Sequence, residues 1–242
     1  MAGRPVRALG LIAAVLLVPI LLYMAIPGEH RLLCPACFGM RGIAGGIYVE
    51  PGTPLREERR TLSVFQRARQ RVRSFYGSLQ AKPIIVVCRT AGCVESFGGG
   101  TADAIAYGWQ AVRFAPTGLN ETIAAHELSH VELHKRIGFR GIFQAVVPVW
   151  FDEGLAVMVS GDKRLGRRVS RAARDTVVTH RTLRQWLGHT RAVGWRASYG
   201  AAAAVVRKID RAVGRADFKR LVNRVAQGDN FDTVFAAHQR SP

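Results

Sequence analysis

From Ala8 to Ile26 the chain runs for 19 residues without a charged side chain (ALGLIAAVLLVPILLYMAI), and this run divides everything that follows. As a helix rising 1.5 Å per residue it would be about 28 Å long, close to the hydrocarbon thickness of a bilayer. Arg4 and Arg7 precede it. Basic flanks stay on the cytoplasmic side, so the rest of the chain is expected on the outer side, periplasmic or cell-surface. Pro19 is tolerated in a spanning helix. The run is longer than the apolar stretch of a cleaved signal, and no small-x-small site follows it cleanly, so residues 1–27 read as a transmembrane signal anchor. Residues 28–52, rich in Gly and Pro (GMRGIAGG, EPGTP), read as a tether with little regular structure, and residues 53–242 as one globular domain.

Lys and Arg number 35 against 17 Asp and Glu, a formal charge of +18, so the surface attracts anions. Nucleic-acid binding would focus that charge through a recognition helix, a zinc-finger spacing or an aromatic-basic motif; here the arginines are scattered, which argues against it. Contact with anionic lipid beside the anchor is the better match. The four cysteines form two close pairs, Cys34 with Cys37 (CPAC) and Cys88 with Cys93 (CRTAGC). In an oxidising compartment they read as disulfides, with three connectivities open. The rival is a four-thiolate zinc site. A redox role for CPAC would need a strand-to-helix turn, which its Gly-rich surroundings do not offer.

Thr53 and Pro54 open a helix whose Leu62, Phe65, Val72, Phe75 and Leu79 share one face, with arginines on the other. Pro83 to Cys88 (PIIVVC) reads as a buried strand, and Ala104 to Pro116 as one or two more after the turn-rich SFGGGTAD. From Asn120 the period becomes helical: Glu121 to Ile137 carries apolar residues at 123, 124, 128, 131 and 137 and is stopped by Gly138. A second helix runs from Phe151 to about Val159, and beyond Arg164 helical segments fall near 182–188, 198–213, 216–227 and 230–238.

The first of these later helices contains His126-Glu127-Leu128-Ser129-His130. Residues four apart stack on one helix face, so both imidazoles can reach one ion at about 2.0–2.1 Å. Glu127 flanks that ion, where a carboxylate can take a proton from water. Two histidines on a solvated helix face are the bland reading; a position directly after a strand pair, where a substrate cleft would lie, favours the metal. A catalytic zinc takes three protein ligands and leaves a fourth position open. His134 extends the row, but one further turn carries it about 6 Å along the axis, so it reads with Glu121 and Glu132 as a surface or supporting group. The best source of the third ligand is Pro148 to Ala156 (PVWFDEGLA), at the start of the next helix. Within it Asp152 points about 100° away from Glu153 and does not pair with it as acid and base. His180 and His189 read as solvated, and Trp109, Trp150, Trp186 and Trp195 as core residues, with Trp109 also placed to line a cleft.

HELSH followed by PVWFDEGLA resembles the gluzincin metallopeptidases, in particular the small bacterial peptidase MA-like domains. The resemblance covers about residues 60–240. It implies an α+β fold with a small N-terminal sheet, a zincin HExxH active-site helix and a mainly helical C-terminal part. It also implies one catalytic Zn2+ on His126, His130 and Glu153, with Glu127 as general base toward a zinc-activated water that hydrolyses a peptide or protein substrate. The segment SYGAAAAVVRKID is similar to the gluzincin aminopeptidase segment whose Tyr donates a hydrogen bond to the tetrahedral intermediate, which gives Tyr199 that catalytic role. Two positions depart from the patterns: Ala202 stands where the aminopeptidases have Gly, and Val157 where thermolysin-like enzymes have Asp. The partner that orients the histidines is therefore not named by the resemblance, and no motif for recognising a free N-terminus is present. The strand near Trp109 to Phe114 is expected to pair with an extended substrate. Two other classes stand beside this reading. One is a catalytically silent anchored scaffold, against which the intact Glu127 speaks; the other is a basic, membrane-tethered binder of anionic polymer, marked by salt-dependent affinity.

Overall fold

The run PIIVVC lacks the polar alternation of a half-exposed strand because both of its faces are covered. In the computed structural model, which describes residues 28–143, 145–165 and 169–239, it contributes to a five-stranded mixed sheet. In chain order the strands are β1 (Arg41–Ala44), β2 (Ile47–Val49), β3 (Ile84–Val87), β4 (Ala104–Tyr107) and β5 (Ala111–Phe114). Across the sheet they run β1-β2-β3-β5-β4, with β2, β3 and β5 parallel and an antiparallel partner at each edge. Parallel neighbours need a crossover, and helix α1 (Leu55–Tyr76) supplies it between β2 and β3. Its stripe of Val64, Phe65, Ala68, Val72 and Phe75 packs in one core with Ile85, Val87, Val112 and Phe114. Val86, Cys88 and Ala111 point the other way, under the 3-10 turns Glu29–Leu33 and Pro35–Phe38 and helix α2 (Ala91–Ser96). Disulfides Cys34–Cys37 and Cys88–Cys93 close these local elements, so each close pair is joined within itself and no thiolate remains for a four-cysteine zinc site.

Residues 28–52 are consequently not the tether that their composition suggests. Ile47 and Val49 pair with Ile85 and Val87 and are 2% and 1% exposed. Gly45 and Gly46 form the tight turn of the β1–β2 hairpin. Even Gly28 is packed: at φ 76° a Cβ on it would lie 2.5 Å from the Gly98 backbone nitrogen. The expected anchor, residues 1–27, lies outside the described residues. Among the described residues no helix is long and apolar enough to cross a membrane.

The helical part comprises α3 (Glu121–Phe143), α4 (Val149–Ser160), α5 (Arg171–Val177), α6 (Leu183–Val193), α7 (Trp195–Val213), α8 (Arg215–Ala226) and α9 (Phe231–Gln239). Asn120 starts α3 by accepting the Ile123 N–H at 3.0 Å, and Gly138, with non-helical φ and ψ, breaks it. Short, polar α5 carries too little apolar periodicity to be read from sequence; its start is set by the Ser170 side chain capping the Ala173 N–H. Glu132 is buried, accepts the Gln80 and Ala81 N–H groups at 3.1 and 3.0 Å and pairs with Arg136, so it ties the α1–β3 connection to α3. Trp150 and Trp186 are core residues as expected; Trp195 is exposed, and Trp109 lies in the β4–β5 turn beneath Lys135. Helices α4 and α7 touch backbone to backbone: a Cβ on Gly154 would stand 2.6 Å from the Ala202 carbonyl oxygen. This contact fixes the residue before Gly154 relative to the start of α7.

Candidate metal centre

Three helices and one strand converge at the site. Helix α3 presents His126, Glu127, His130 and His134 along one face, the first turn of α4 presents Asp152 and Glu153, α7 presents Tyr199, and β4 runs alongside. His126 Nε2 and His130 Nε2 are 3.1 Å apart, and each is 3.3 Å from Glu153 Oε2. A tetrahedral ion with bonds of about 2.0–2.1 Å separates its ligands by about 3.3–3.4 Å, so this triangle has the dimensions of one face of such a site. Glu153 Oε2 is buried and has no well-aligned hydrogen-bond donor among the described residues, so it offers an acceptor to a cation. Burial alone would raise the Glu153 carboxyl, yet His130 and His126 hold it down to about 2. The residues present therefore fit a small, nitrogen- and oxygen-seeking divalent ion, with zinc the natural choice for two imidazoles and a carboxylate.

The partner that orients the histidines is Asp152, which the sequence reading set aside. Its Oδ1 lies 2.6 Å from His130 Nδ1 and its Oδ2 2.8 Å from His134 Nε2. A proton on His130 Nδ1 directed at this carboxylate turns Nε2 toward Glu153 and His126, where that nitrogen, once it gives up its own proton, can bind a metal. Burial opposes charge on both groups, but their mutual attraction wins: Asp152 is held well below the usual carboxylate range, and His130 is raised well above the usual histidine value by Asp152 and Glu153. His134, Asp152 and His130 also form a cluster that could hold an ion. Its separations of 2.6 and 2.8 Å are those of charge-assisted hydrogen bonds, so it serves the first triangle as a brace. His134 Nδ1 meets the Gly108 carbonyl at 3.3 Å, which links the brace to the β4–β5 turn.

Glu127 is 8% exposed, and burial raises its pKa above the ordinary carboxylate value, partly offset by His126 and His130 and by a hydrogen bond from the Ala106 backbone on β4. The Tyr199 hydroxyl donates to Glu153 Oε1 at 3.2 Å, and its ring lies between His126 and Trp186. Burial pushes this phenol well above its ordinary pKa, reinforced by the charge of Glu153. A cleft of about 560 Å³ opens over these groups, walled by Ala104, Ile105 and Ala106 on one side and by Ile137, Val149 and Leu183 on others. The strand beside it is β4. Sequence reading assigned this place to Trp109–Phe114, but β5 is enclosed between β3 and β4, and β4 is the sheet edge. His180 and His189 stack on each other at 4.2 Å and belong to neither cluster. Comparison of the chain with protein-family models, with curated proteins and with solved structures found no match.

Proposed function

We propose that this chain is a zinc-dependent peptidase of gluzincin type, anchored by residues 1–27, with its catalytic domain on the outer side of the membrane. The observation that carries the reading is the donor triangle of His126, His130 and Glu153 with the buried carboxylate of Glu127 next to it. His126, His130 and Glu153 would hold the ion. When bound, zinc supplies a Lewis acid that polarises a carbonyl and acidifies water.

Glu127 provides the base. Its raised pKa and its hydrogen bond from Ala106 suit a carboxylate that takes a proton from the attacking water and returns it to the leaving amine. Tyr199 is a protonated phenol at neutral pH and its raised pKa holds the proton still more firmly, so its hydroxyl can turn from Glu153 to donate to an oxygen that gains negative charge. The edge of β4 offers main-chain groups to an extended peptide, which is the binding mode that sheet edges favour. The apolar cleft walls favour apolar side chains on that peptide.

The test is Glu127→Gln in the full chain, held in neutral detergent and assayed on a mixed peptide library together with its zinc content. Hydrolysis should be lost while zinc stays near stoichiometric, because a carboxamide cannot accept the proton and Glu127 is not a ligand. Turnover close to that of the unmodified chain would refute the mechanism. An unmodified chain that binds zinc and cleaves nothing would be a scaffold.

A further inference from the structure

Helix α7 reaches the candidate metal centre through Tyr199, near its start; its other end borders a second and larger cavity of about 1020 Å³. Residues 207–211 lie about 12–18 Å along the helix axis from residue 199, so the two spaces are separate. Six cationic side chains line the second one: Lys163, Arg174, Arg207, Lys208, Arg211 and Arg215. Its two carboxylates are already engaged. Asp162 is chelated by Arg164 at 2.6 to 3.0 Å, and Asp210 is paired with Arg215 at 2.8 Å. Lys163, Arg174 and Arg211 face no carboxylate within ion-pair distance among the described residues. Arg174 is half-buried and gives one N–H to the Val169 carbonyl at 2.7 Å, a neutral acceptor that fixes the guanidinium without cancelling its charge. Beneath this rim the floor is apolar, formed by Met158, Leu165, Val169 and Ala204.

Like charges gathered around a concave, low-dielectric wall focus a potential that a flat surface of the same charge does not. Three uncompensated cations around one cavity exceed what a single carboxylate can neutralise. A phosphate carries more charge and more acceptor oxygens, in a geometry that guanidinium forks match. We infer that this cavity binds a phosphate-bearing anion, with the phosphate on the rim of Lys163, Arg174 and Arg211 and the organic part on the apolar floor. An acidic phospholipid headgroup and a soluble phosphate ester share this chemistry. The inference stands apart from the peptidase reading, since none of these residues belongs to the metal centre.

The experiment is calorimetric titration of the full chain in neutral detergent micelles with phosphatidylglycerol, phosphatidylcholine, glycerol 3-phosphate and inorganic phosphate. Two variants with the same change in charge are compared: Lys163→Glu with Arg211→Glu in the cavity, and Arg59→Glu with Arg73→Glu on the exposed face of α1. Lys163→Gln with Arg211→Gln gives a milder version should the reversal disturb folding. The cavity variant should bind the anionic probe about 10-fold or more weakly, and the α1 variant within about twofold of the unmodified chain. A loss confined to phosphatidylglycerol identifies the lipid headgroup as the source, and a loss that extends to glycerol 3-phosphate identifies soluble phosphate esters. Equal losses in the two variants, or no phosphate probe that distinguishes the cavity variant from the unmodified chain, would overturn the assignment.

Discussion

Asp152 offers the sharpest test of the candidate metal centre, because it lies outside the His126, His130 and Glu153 triangle and its two oxygens do separate jobs. Replacing it with Ala removes the acceptor 2.6 Å from His130 Nδ1 and the one 2.8 Å from His134 Nε2. The His130 N–H is then buried without a partner and the ring is free to turn its Nε2 off the triangle. Loss of an outer-shell carboxylate of this kind costs about 10- to 100-fold in metal affinity, or about 1.4–2.7 kcal/mol, and the alanine variant should fall at the upper end. Asparagine should be milder. Its oxygen can still accept from His130, and its NH2 then faces His134 Nε2, which can accept if the His134 proton sits on Nδ1, 3.3 Å from the Gly108 carbonyl. Only the charge is lost, so about 10-fold is expected. Competition with a fluorescent zinc chelator measures both affinities, and circular dichroism confirms that the variants are folded. Alanine binding zinc within twofold of the unmodified chain, or asparagine binding more weakly than alanine, would show that Asp152 does not orient His130.

Glu153→Ala should lose zinc affinity by orders of magnitude, while His134→Ala should stay within about 10-fold; equal retention after dialysis against a weak chelator would remove Glu153 from the ligand set. Tyr199→Phe should lower turnover by about 10- to 1,000-fold with little change in zinc content, the cost of one oxyanion donor, and an unchanged rate would assign that role to another group. Gly154→Ala should destabilise the fold by about 1–3 kcal/mol, seen as a lower denaturation midpoint, because its Cβ would meet the Ala202 carbonyl at 2.6 Å and Val206 Cγ2 at 2.8 Å. A midpoint that does not move would mean that α4 and α7 can separate at no cost.

What could be read before folding was what a single element decides. The i, i+4 spacing of His126 and His130 needs only a helix, and PIIVVC needs only two covered faces. Asp152 escapes a reading that weighs only the angle between neighbours on α4. An imidazole carries nitrogens on two sides, so residues 100° apart on one helix can bracket a histidine on another, Glu153 at Nε2 and Asp152 at Nδ1. The acid directly before Glu153 in WFDEG is the available signal. The choice of β4 over β5 as the open edge depends on β5 pairing with β3, a partner more than 20 residues away in sequence that local pattern does not reveal. The β1–β2 hairpin escapes sequence reading for a similar reason: its strands have four and three residues, β1 is largely exposed, and the burial of β2 comes from β3 and not from any periodicity of its own.

The packing of Gly28 on the 96–98 segment has a mechanical consequence. A connector with slack is a leash: it lets a cleft sweep a volume and meet substrates at many heights. Here the first described residue is already locked to the body, and the polypeptide turns at once into 3-10 elements cross-linked by Cys34–Cys37. Whatever is joined ahead of residue 28 meets a rigid mount. The candidate cleft is thus aimed with respect to that junction, and a flexible insert placed there would widen what the cleft can reach while leaving its chemistry unchanged.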